Sequence, residues 1–263
     1  MFLDLVNKII NKFGYKVKVE RLNFPYDIFY DKEFMDIYQL CKDYTKTSLE
    51  RMYSLYNSMK YIIANKIEGD LVECGVWKGG SSMLMALMLK RHGILDKKIH
   101  LYDTFEGMSE PSSMDKTIKG VSASSLLGKE RKENENSVWC YSPIEDVKNA
   151  LFSTGYPPEN LIFVKGKVED TLLKYVPAKL SILRLDTDWY ESTKIELQIL
   201  YPLLVEQGVL IIDDFGHWEG AQKAVTEYFM QNDNHQFLHR IDYTGRLMIK
   251  TYNNKKNNSL QVF

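Results

Sequence analysis

Two apolar segments of this chain end abruptly in carboxylates. The run from Leu183 to Leu185 is followed by Asp186, and the run from Val209 to Ile212 is followed by Asp213 and Asp214. If both runs are neighbouring parallel strands, their carboxyl ends meet at the sheet edge where open α/β folds bind ligands. Carboxylates held together raise one another's pKa or oppose folding, so a hard divalent cation is their natural counter-ion. The three side chains therefore predict a metal site.

Proton transfer has two candidate residues near these acids. We favour Asp186, which could both bind a cation and accept a hydroxyl proton, over His217, whose residue type is suited to acid–base chemistry. His217 is equally compatible with a substrate hydrogen bond or a contact at the start of a helix. Asp188 is compatible with a replacement metal ligand or with the cap of the helix that follows it.

A glycine-rich turn follows an earlier apolar strand. After Leu71–Cys74 the chain contains Gly75, Gly79 and Gly80 before a predicted helix that starts near Ser81. Glycines permit a tight turn and close approach of a ligand to the backbone, and a helix N-terminus offers free N–H donors. The spacing matches neither the dinucleotide fingerprint nor a phosphate-binding loop. A plain strand-to-helix turn is also compatible with it.

Asp103 ends the next predicted strand, at a position where an acid can accept hydrogen bonds from both hydroxyls of a ribose. A glycine turn after the first strand and an acid after the second, without a pyrophosphate fingerprint, favour S-adenosylmethionine over a nicotinamide cofactor. Taken singly, Asp103 is also compatible with a helix N-cap or a surface acid.

The elements that must position these residues alternate along the chain. Predicted strands at 71–74, 98–102, 161–164, 181–185 and 209–212 alternate with predicted helices at 81–91, 144–153 and 193–206. This alternation predicts an α/β fold with a mostly parallel, doubly wound sheet. Two further runs within 236–250 predict an antiparallel edge strand that closes the sheet.

The chain divides into three predicted parts. Residues 1–67, with a predicted helix over 47–64, form an N-terminal helical appendage or cover. Residues 68–252 form the main domain, and residues 253–263 form a polar tail. Residues 1–10 carry apolar side chains at helical spacing but are interrupted by Asp4 and Lys8, which indicates neither a signal peptide nor a membrane span. A peripheral amphipathic helix is the alternative for that segment.

Composition excludes several classes of function. The 263 residues carry 34 Lys and Arg against 35 Asp and Glu, a net charge of −1. No basic field therefore favours nucleic acid or an anionic membrane, and no integral membrane segment is predicted. Cys41, Cys74 and Cys140 are widely spaced, which indicates neither a disulfide framework nor a zinc site. A reducing cytoplasm is the simplest location.

Residues 107–142 have the length and polarity of a mobile cover that shapes acceptor choice.

Five segments together resemble the macrocin O-methyltransferase family, over about residues 44–250. They read E-C-G-V-W-K-G-G-S-S (73–82), Y-D-T-F-E-G-M (102–108), L-R-L-D-T-D-W-Y-E-S-T (183–193), Y-P-L-L-V-E-Q-G-V-L-I-I-D-D-F-G-H-W (201–218) and G-A-Q-K-A-V-T-E-Y-F (220–229). Members of that family methylate sugar hydroxyls. The resemblance implies a Rossmann-like class I methyltransferase fold that uses S-adenosylmethionine and Mg²⁺.

The resemblance also implies roles for individual positions. Asp186, Asp213 and Asp214 match the metal-binding carboxylates, in the arrangement of the more distantly related catechol O-methyltransferases. Segment 165–171 matches a turn near the adenine, although helix capping also explains its residues. The positions matched to cofactor contacts are Glu73, Gly75, Val76, Trp77, Gly79, Ser81, Asp103, Thr104, Phe105, Val168, Glu169, Asp186, Thr45, Ser48 and Arg51.

The sequence thus predicts a Mg²⁺-dependent, S-adenosylmethionine-dependent O-methyltransferase that acts on a free, nucleotide-linked or glycosidic sugar. Bound Mg²⁺ would position the hydroxyl and stabilise its alkoxide character. Methylation of a catechol or another vicinal diol is an alternative, and a non-catalytic cofactor-binding or assembly protein is a second. The family resemblance and the surface of the N-terminal helices also predict a homo-oligomer.

Overall fold

Seven strands form one sheet in the described part of the chain. The computed structural model describes residue 12 and residues 25–134, 137–231 and 236–251. The strands are β1 Asp70–Cys74, β2 Ile99–Asp103, β3 Leu161–Lys165, β4 Leu180–Leu185, β5 Leu204–Ile212, β6 His239–Arg240 and β7 Arg246–Ile249. Their order across the sheet is β3-β2-β1-β4-β5-β7-β6.

The first five strands are parallel, and β7 pairs with β5 in the antiparallel direction. β6 pairs antiparallel with β7 and forms the edge of the sheet. The predicted mostly parallel sheet, closed by an antiparallel pairing, is therefore confirmed. The chain leaves β1 toward β2 and β3 on one side and returns to β4 and β5 on the other. This reversal opens a crevice at the carboxyl ends of β1 and β4, where doubly wound folds bind ligands.

Nine helices in the described residues surround the sheet. They are α1 Tyr26–Tyr30, α2 Lys32–Cys41, α3 Leu49–Ala64, α4 Gly80–Arg91, α5 Ala123–Leu127, α6 Ile144–Ser153, α7 Val168–Thr171, α8 Tyr190–Ile199 and α9 Glu219–Gln231. Short 3₁₀ turns occupy Lys42–Tyr44, Pro158–Asn160 and Tyr201–Leu203.

One predicted boundary is wrong. The helix expected over 193–206 spans Tyr190–Ile199, and the strand expected to start at residue 209 starts at Leu204. Pro202 explains the end of the helix, because its ring blocks helical continuation and it has no N–H to donate. Residues 204–206 then extend β5, with Leu204 paired to Leu180 of β4.

The core lies on both faces of the sheet. Leu71 and Val72 are adjacent in β1 yet belong to different buried clusters, as the alternation of a strand requires. The first cluster packs against α2, α3, α4 and α6, and the second packs against α8 and α9. Burial of both faces explains why apolar residues occupy both sides of the central parallel strands.

The N-terminal helices share the first cluster. Phe34 of α2 and Met52 and Leu55 of α3 are buried together with Leu71 of β1 and Leu84 of α4. The predicted division after residue 67 stays a prediction. The predicted amphipathic segment 1–10 and the tail 253–263 lie outside the described residues. Within the described part, no helix has the length and apolarity needed to cross a membrane.

Replacing Phe34 by alanine tests whether this shared core unfolds as one unit. Phe34 is 0% exposed, and its ring lies 4.9 Å from that of Tyr53 and 5.4 Å from that of Tyr56. We expect Phe34→Ala to lower the free energy of unfolding by about 3–5 kcal/mol in a single urea transition, because a buried ring leaves a cavity. The control is Leu40→Ala on the same helix, 58% exposed, with an expected change within about 0.5 kcal/mol. A separate early transition in Phe34→Ala would instead show an independent N-terminal unit.

Candidate active site

The two acidic strand ends meet as the sequence predicts. β4 and β5 are parallel neighbours with Leu185 opposite Ile212. The Asp213 N–H donates to the carbonyl of Leu185 at 2.9 Å, and the Asp186 N–H donates to the carbonyl of Cys74 at 2.8 Å. The sheet hydrogen bonding thus continues to the last residue before each carboxylate, which fixes where the acidic residues begin.

Arg184 lies beneath these acids and is only 2% exposed. Its Nη1 contacts Glu73 Oε1 at 2.5 Å and Asp186 Oδ2 at 2.8 Å, and its Nη2 contacts Asp213 Oδ2 at 2.8 Å. A second guanidinium, Arg51, contacts the same Asp213 oxygen at 2.5 Å. Two cations therefore converge on one carboxylate oxygen.

The other oxygen of Asp213 accepts no hydrogen bond from the residues that the structure describes. Asp213 is 1% exposed, and its Oδ1 is buried without a hydrogen bond in the part of the chain that the structure describes. A buried carboxylate oxygen left in this state is costly unless a donor or a cation satisfies it. Asp213 therefore has one oxygen held by arginines and one available to a ligand.

Asp186, Asp188 and Asp214 form a compact group whose ligand atoms lie within 4.8 Å of one another. Burial raises the pKa of Asp186 to about 6, against the effect of Arg184, and raises the pKa of Asp188 to about 7. Burial also raises the pKa of Asp213 and Asp214, and the carboxylate of Asp188 raises that of Asp214 further. The sequence assigned Asp213 to the metal group, whereas the tightest group contains Asp188. Arg184 and Arg51 offset part of the charge at Asp186 and Asp213, whereas Asp188 increases the need of Asp214 for a proton or a cation.

The backbone of Asp188 has a strained conformation next to the acidic group. Its φ of 66° lies in the left-handed region, and its N–H donates to Asp214 Oδ2 at 3.1 Å. Such strain concentrates at functional sites. Asp188 does not cap α8, because Trp189 occupies the N-cap position and the Tyr190 N–H donates to Asp115 Oδ1 at 2.8 Å.

The glycine-rich turn after β1 meets the turn after β4, which carries Asp186, at Gly75. Gly75 has a φ of 82°, and a Cβ there would lie 1.8 Å from the carbonyl oxygen of Asp186. No side chain fits this contact. Asp103 arranges the same turn, because its Oδ2 accepts from the N–H of Val76 at 2.6 Å and of Trp77 at 3.1 Å. Its pKa is raised by burial, which these N–H groups oppose.

A cleft of about 380 Å³ lies over these turns at the carboxyl edge of the sheet. Three predicted site residues do not line it: Ser48 caps α3, Gly79 is the N-cap residue of α4 and lies against Leu151, and Phe105 is buried in the core. The Trp77 indole N–H is buried without a partner among the described residues. The predicted site residues that line the cleft are Thr45, Arg51, Glu73, Gly75, Val76, Trp77, Ser81, Asp103, Thr104, Val168, Glu169, Asp186, Asp213, Asp214 and His217.

The sequence did not indicate how the predicted cover, residues 107–142, is attached to the start of α8. Asp115 is buried, and its Oδ2 accepts from the N–H of Ser112 at 2.6 Å while Oδ1 accepts from Tyr190. Trp189 Nε1 donates to the carbonyl of Ser109 at 3.1 Å. These contacts hold residues 109–115 against the start of α8, beside the cleft. The local Ser–Asp turn was visible in the sequence, but its partner on α8 was not.

The family is decided by comparison with known proteins. A family model described as Macrocin-O-methyltransferase (TylF) matches residues 31–250. The chain belongs to the macrocin-O-methyltransferase family. As a member of this family it is an S-adenosylmethionine-dependent O-methyltransferase, and the predicted enzyme class is confirmed.

Individual relatives agree with this assignment. The chain is 31% identical over 252 residues to 8-demethyl-8-(2,3-dimethoxy-alpha-L-rhamnosyl)-tetracenomycin-C 4'-O-methyltransferase of Streptomyces olivaceus, covering 93% of this chain and 90% of that one. It is 29% identical over 248 residues to demethyldecarbamoylnovobiocin O-methyltransferase of Streptomyces niveus, covering 93% and 91%. The solved O-methyltransferase NovP superposes with a TM-score of 0.69 at 26% identity, covering 95% of this chain and 98% of that one. The predicted fold is confirmed.

Replacing Arg184 by glutamine tests whether this methyltransferase depends on its buried cation. We expect Arg184→Gln to lower the free energy of unfolding by about 3–5 kcal/mol, because buried acids lose their closest counter-ion. Urea unfolding measures this. The control is Arg91→Gln, which removes a half-exposed ion pair with Glu33 and should cost less than about 1 kcal/mol. Equal losses in the two variants would contradict the central role of Arg184.

Proposed function

We propose that this enzyme methylates a hydroxyl of a sugar or a glycosylated small molecule and requires Mg²⁺. The observation that carries the proposal is the acidic group at the edge of the cleft, where one buried Asp213 oxygen has no hydrogen-bond partner among the described residues. Two relatives support the acceptor class, since one is named for a rhamnosyl tetracenomycin and another for demethyldecarbamoylnovobiocin.

The residues proposed to hold Mg²⁺ are Asp186, Asp213 and Asp214. Carboxylate oxygens are the ligands that this cation prefers, and the free oxygen of Asp213 together with the mutual repulsion of the group fits a divalent ion. Bound Mg²⁺ would act as a Lewis acid and as a template for the acceptor hydroxyl. Asp188 lies within reach of the same position, and it is the alternative third ligand.

The same four acids suggest a division of roles. Asp186 is held by Arg184 through Oδ2, which makes it a fixed ligand and a weaker proton acceptor. If Asp186, Asp213 and Asp214 bind the cation, Asp188 remains in the same group, and no ion pair with an arginine fixes its carboxylate among the described residues. We therefore propose Asp188 as the group that accepts the hydroxyl proton, in place of Asp186, which the sequence favoured.

The cofactor residues are proposed at the other end of the cleft. Asp103 presents an ordered carboxylate for the ribose hydroxyls, while Val168 and Glu169 line the wall next to it. The indole N–H of Trp77 supplies a buried donor that has no hydrogen-bond partner within the described part of the chain. Together these residues offer both donors and acceptors, as recognition of a polar nucleoside requires.

The lining of the cleft near the acidic group is mixed, since Ser109, His217 and Tyr243 lie beside Met108 and Trp218. The proposed preference for a sugar over a catechol therefore rests on the acceptors named for the relatives. The retained acidic group also argues against a non-catalytic cofactor-binding protein.

Replacing Asp214 by asparagine tests the metal-dependent reaction. We expect kcat/KM with Mg²⁺ to fall about 100-fold or more, because Lewis-acid stabilisation amounts to several kcal/mol. Affinity for S-adenosylhomocysteine, measured by calorimetry, should change little. The assay uses phenyl α-L-rhamnopyranoside, other phenyl glycosides and catechol, and detects the methylated product by mass spectrometry. Wild-type turnover that is unaffected by EDTA would refute the metal, and turnover of catechol alone would refute the sugar. Asp146→Asn, at an exposed position of α6, is the control.

Replacing Asp103 by asparagine tests ribose recognition. We expect the affinity for S-adenosylhomocysteine to fall about tenfold to a hundredfold, because hydrogen bonds to a charged group are lost. An analogue without the two ribose hydroxyls separates this role from that of ordering the glycine turn. The wild type should discriminate strongly between the two ligands and Asp103→Asn weakly. Equal discrimination by both proteins would assign Asp103 to the turn alone. The control is Asp96→Asn, an exposed acid before β2.

A further inference from the structure

We infer that Tyr243 and His217 form an acceptor-recognition pair, in which the Tyr243 hydroxyl donates to His217 Nδ1 and leaves His217 Nε2 as a hydrogen-bond donor for an oxygen of the acceptor. The inference rests on the proposed function, because it concerns the substrate end of the same cleft. It adds Tyr243 as a specificity residue and assigns His217 to recognition instead of proton removal.

The two side chains meet at the rim of the cleft. The Tyr243 hydroxyl lies 3.2 Å from His217 Nδ1, and the two rings stand edge to face with centroids 6.0 Å apart. The His217 ring also stands edge to face on Trp218, at 4.9 Å. All three residues line the cleft together with the acidic group. Tyr243 is 60% exposed, so an acceptor could cover its ring.

Backbone contacts tie the pair to the acidic group. The His217 N–H donates to the carbonyl of Asp214 at 3.0 Å, and the Gly216 N–H donates to the carbonyl of Thr244 at 2.9 Å. A Cβ on Gly216 would lie 1.9 Å from the carbonyl oxygen of Tyr243. The turn between β6 and β7 thus packs directly on the loop after β5. An acceptor whose reacting hydroxyl lies at Asp214 has these rings beside it.

The direction of the hydrogen bond between the two side chains follows from the chemistry of the phenol and the imidazole, whose atoms lie 3.2 Å apart. A neutral imidazole carries one N–H and one lone pair. A phenol O–H is the stronger donor and an imidazole nitrogen the stronger acceptor of this pair, so Tyr243 donates and Nδ1 accepts. Nε2 then carries the proton.

This tautomer determines what His217 can do. A nitrogen that already carries a proton cannot remove one from a hydroxyl, so Nε2 acts as a donor. Both members of the pair are uncharged, and an exposed aromatic face accompanies the donor. Such a site suits an uncharged ring that carries ether or hydroxyl oxygens, which is the chemistry of a sugar. The pair would recognise the part of the sugar that lies next to the methylated hydroxyl.

The tautomer can be tested without knowing the acceptor. Nitrogen-15 histidine labelling and a multiple-bond ¹H–¹⁵N correlation spectrum show which ring nitrogen carries the proton, with His217→Gln to assign the signal. We expect the Nε2–H form in the wild type and a mixture of both tautomers in Tyr243→Phe. An Nδ1–H form in the wild type, or an unchanged spectrum in Tyr243→Phe, would overturn the inference.

A second tyrosine–histidine pair provides a matched control. Tyr175 OH lies 3.2 Å from Nδ1 of His100, while His100 Nε2 lies 3.0 Å from Asp70 Oδ2. Neither residue lines the cleft. Tyr175→Phe removes a hydrogen bond of the same length and should alter the His100 signal but leave methylation kinetics unchanged.

Kinetics then distinguish recognition from proton removal. With phenyl α-L-rhamnopyranoside, or whichever phenyl glycoside the wild type methylates, Tyr243→Phe and His217→Gln should each raise the acceptor KM about threefold to tenfold with kcat nearly unchanged. A fall in kcat of about 100-fold in His217→Gln would make His217 the base and overturn the inference. If the wild type methylates no glycoside, the proposed function fails, while the tautomer spectrum still decides the pair.

Discussion

Arg184 contacts carboxylates from three strands at the carboxyl edge of the sheet. Glu73 belongs to β1, Asp186 follows β4 and Asp213 follows β5, so one buried guanidinium joins the ends of the central strands. A single positive charge cannot neutralise three acids. Arg51 adds a second charge, and both arginines line the cleft. Because Asp188 and Asp214 lie beside Asp186, the carboxyl groups here outnumber the two guanidiniums, and the proposed cation site depends on this excess.

The backbone geometry of the site follows from how closely its turns approach. Gly75 contacts the carbonyl of Asp186 at a distance that no Cβ permits, so β1 and β4 remain adjacent past their last paired residues. Beyond that contact the chain must turn sharply before α8 begins, and Asp188 adopts a positive φ within the turn. The hydrogen bond from its N–H to Asp214 compensates part of the strain. The carboxylates are therefore brought together by the backbone before any ligand binds.

Much of this arrangement could be predicted from the sequence, because strand ends are set by local patterns. The apolar runs before Asp186 and Asp213 required parallel strands, and parallel neighbours bring their ends together. The direction of the Asp213 side chain could not be predicted, since it depends on arginines that are distant in sequence. The contact between Asp115 and Tyr190 was hidden for the same reason. The early end of α8, by contrast, could have been predicted, because Pro202 stands in the sequence itself and blocks the continuation of a helix.

The two ends of the cleft are built from different parts of the chain. The proposed cofactor end comes from the turns after β1, β2 and β3, where the half-buried Asp103 and Gly75 are held by close backbone contacts. The proposed acceptor end comes from residues 107–142 and from the turn between β6 and β7. That turn contacts the acidic strand ends through backbone hydrogen bonds and through side chains, since Thr244 Oγ1 donates to the carbonyl of Asp213 and Arg51 joins Asp213 to Asp242. The side chain of Tyr243 takes part in neither contact and meets His217 instead. If the proposed function holds, different acceptors are therefore best accommodated by changes at Tyr243, because Thr244 and Asp242 also support the acidic group.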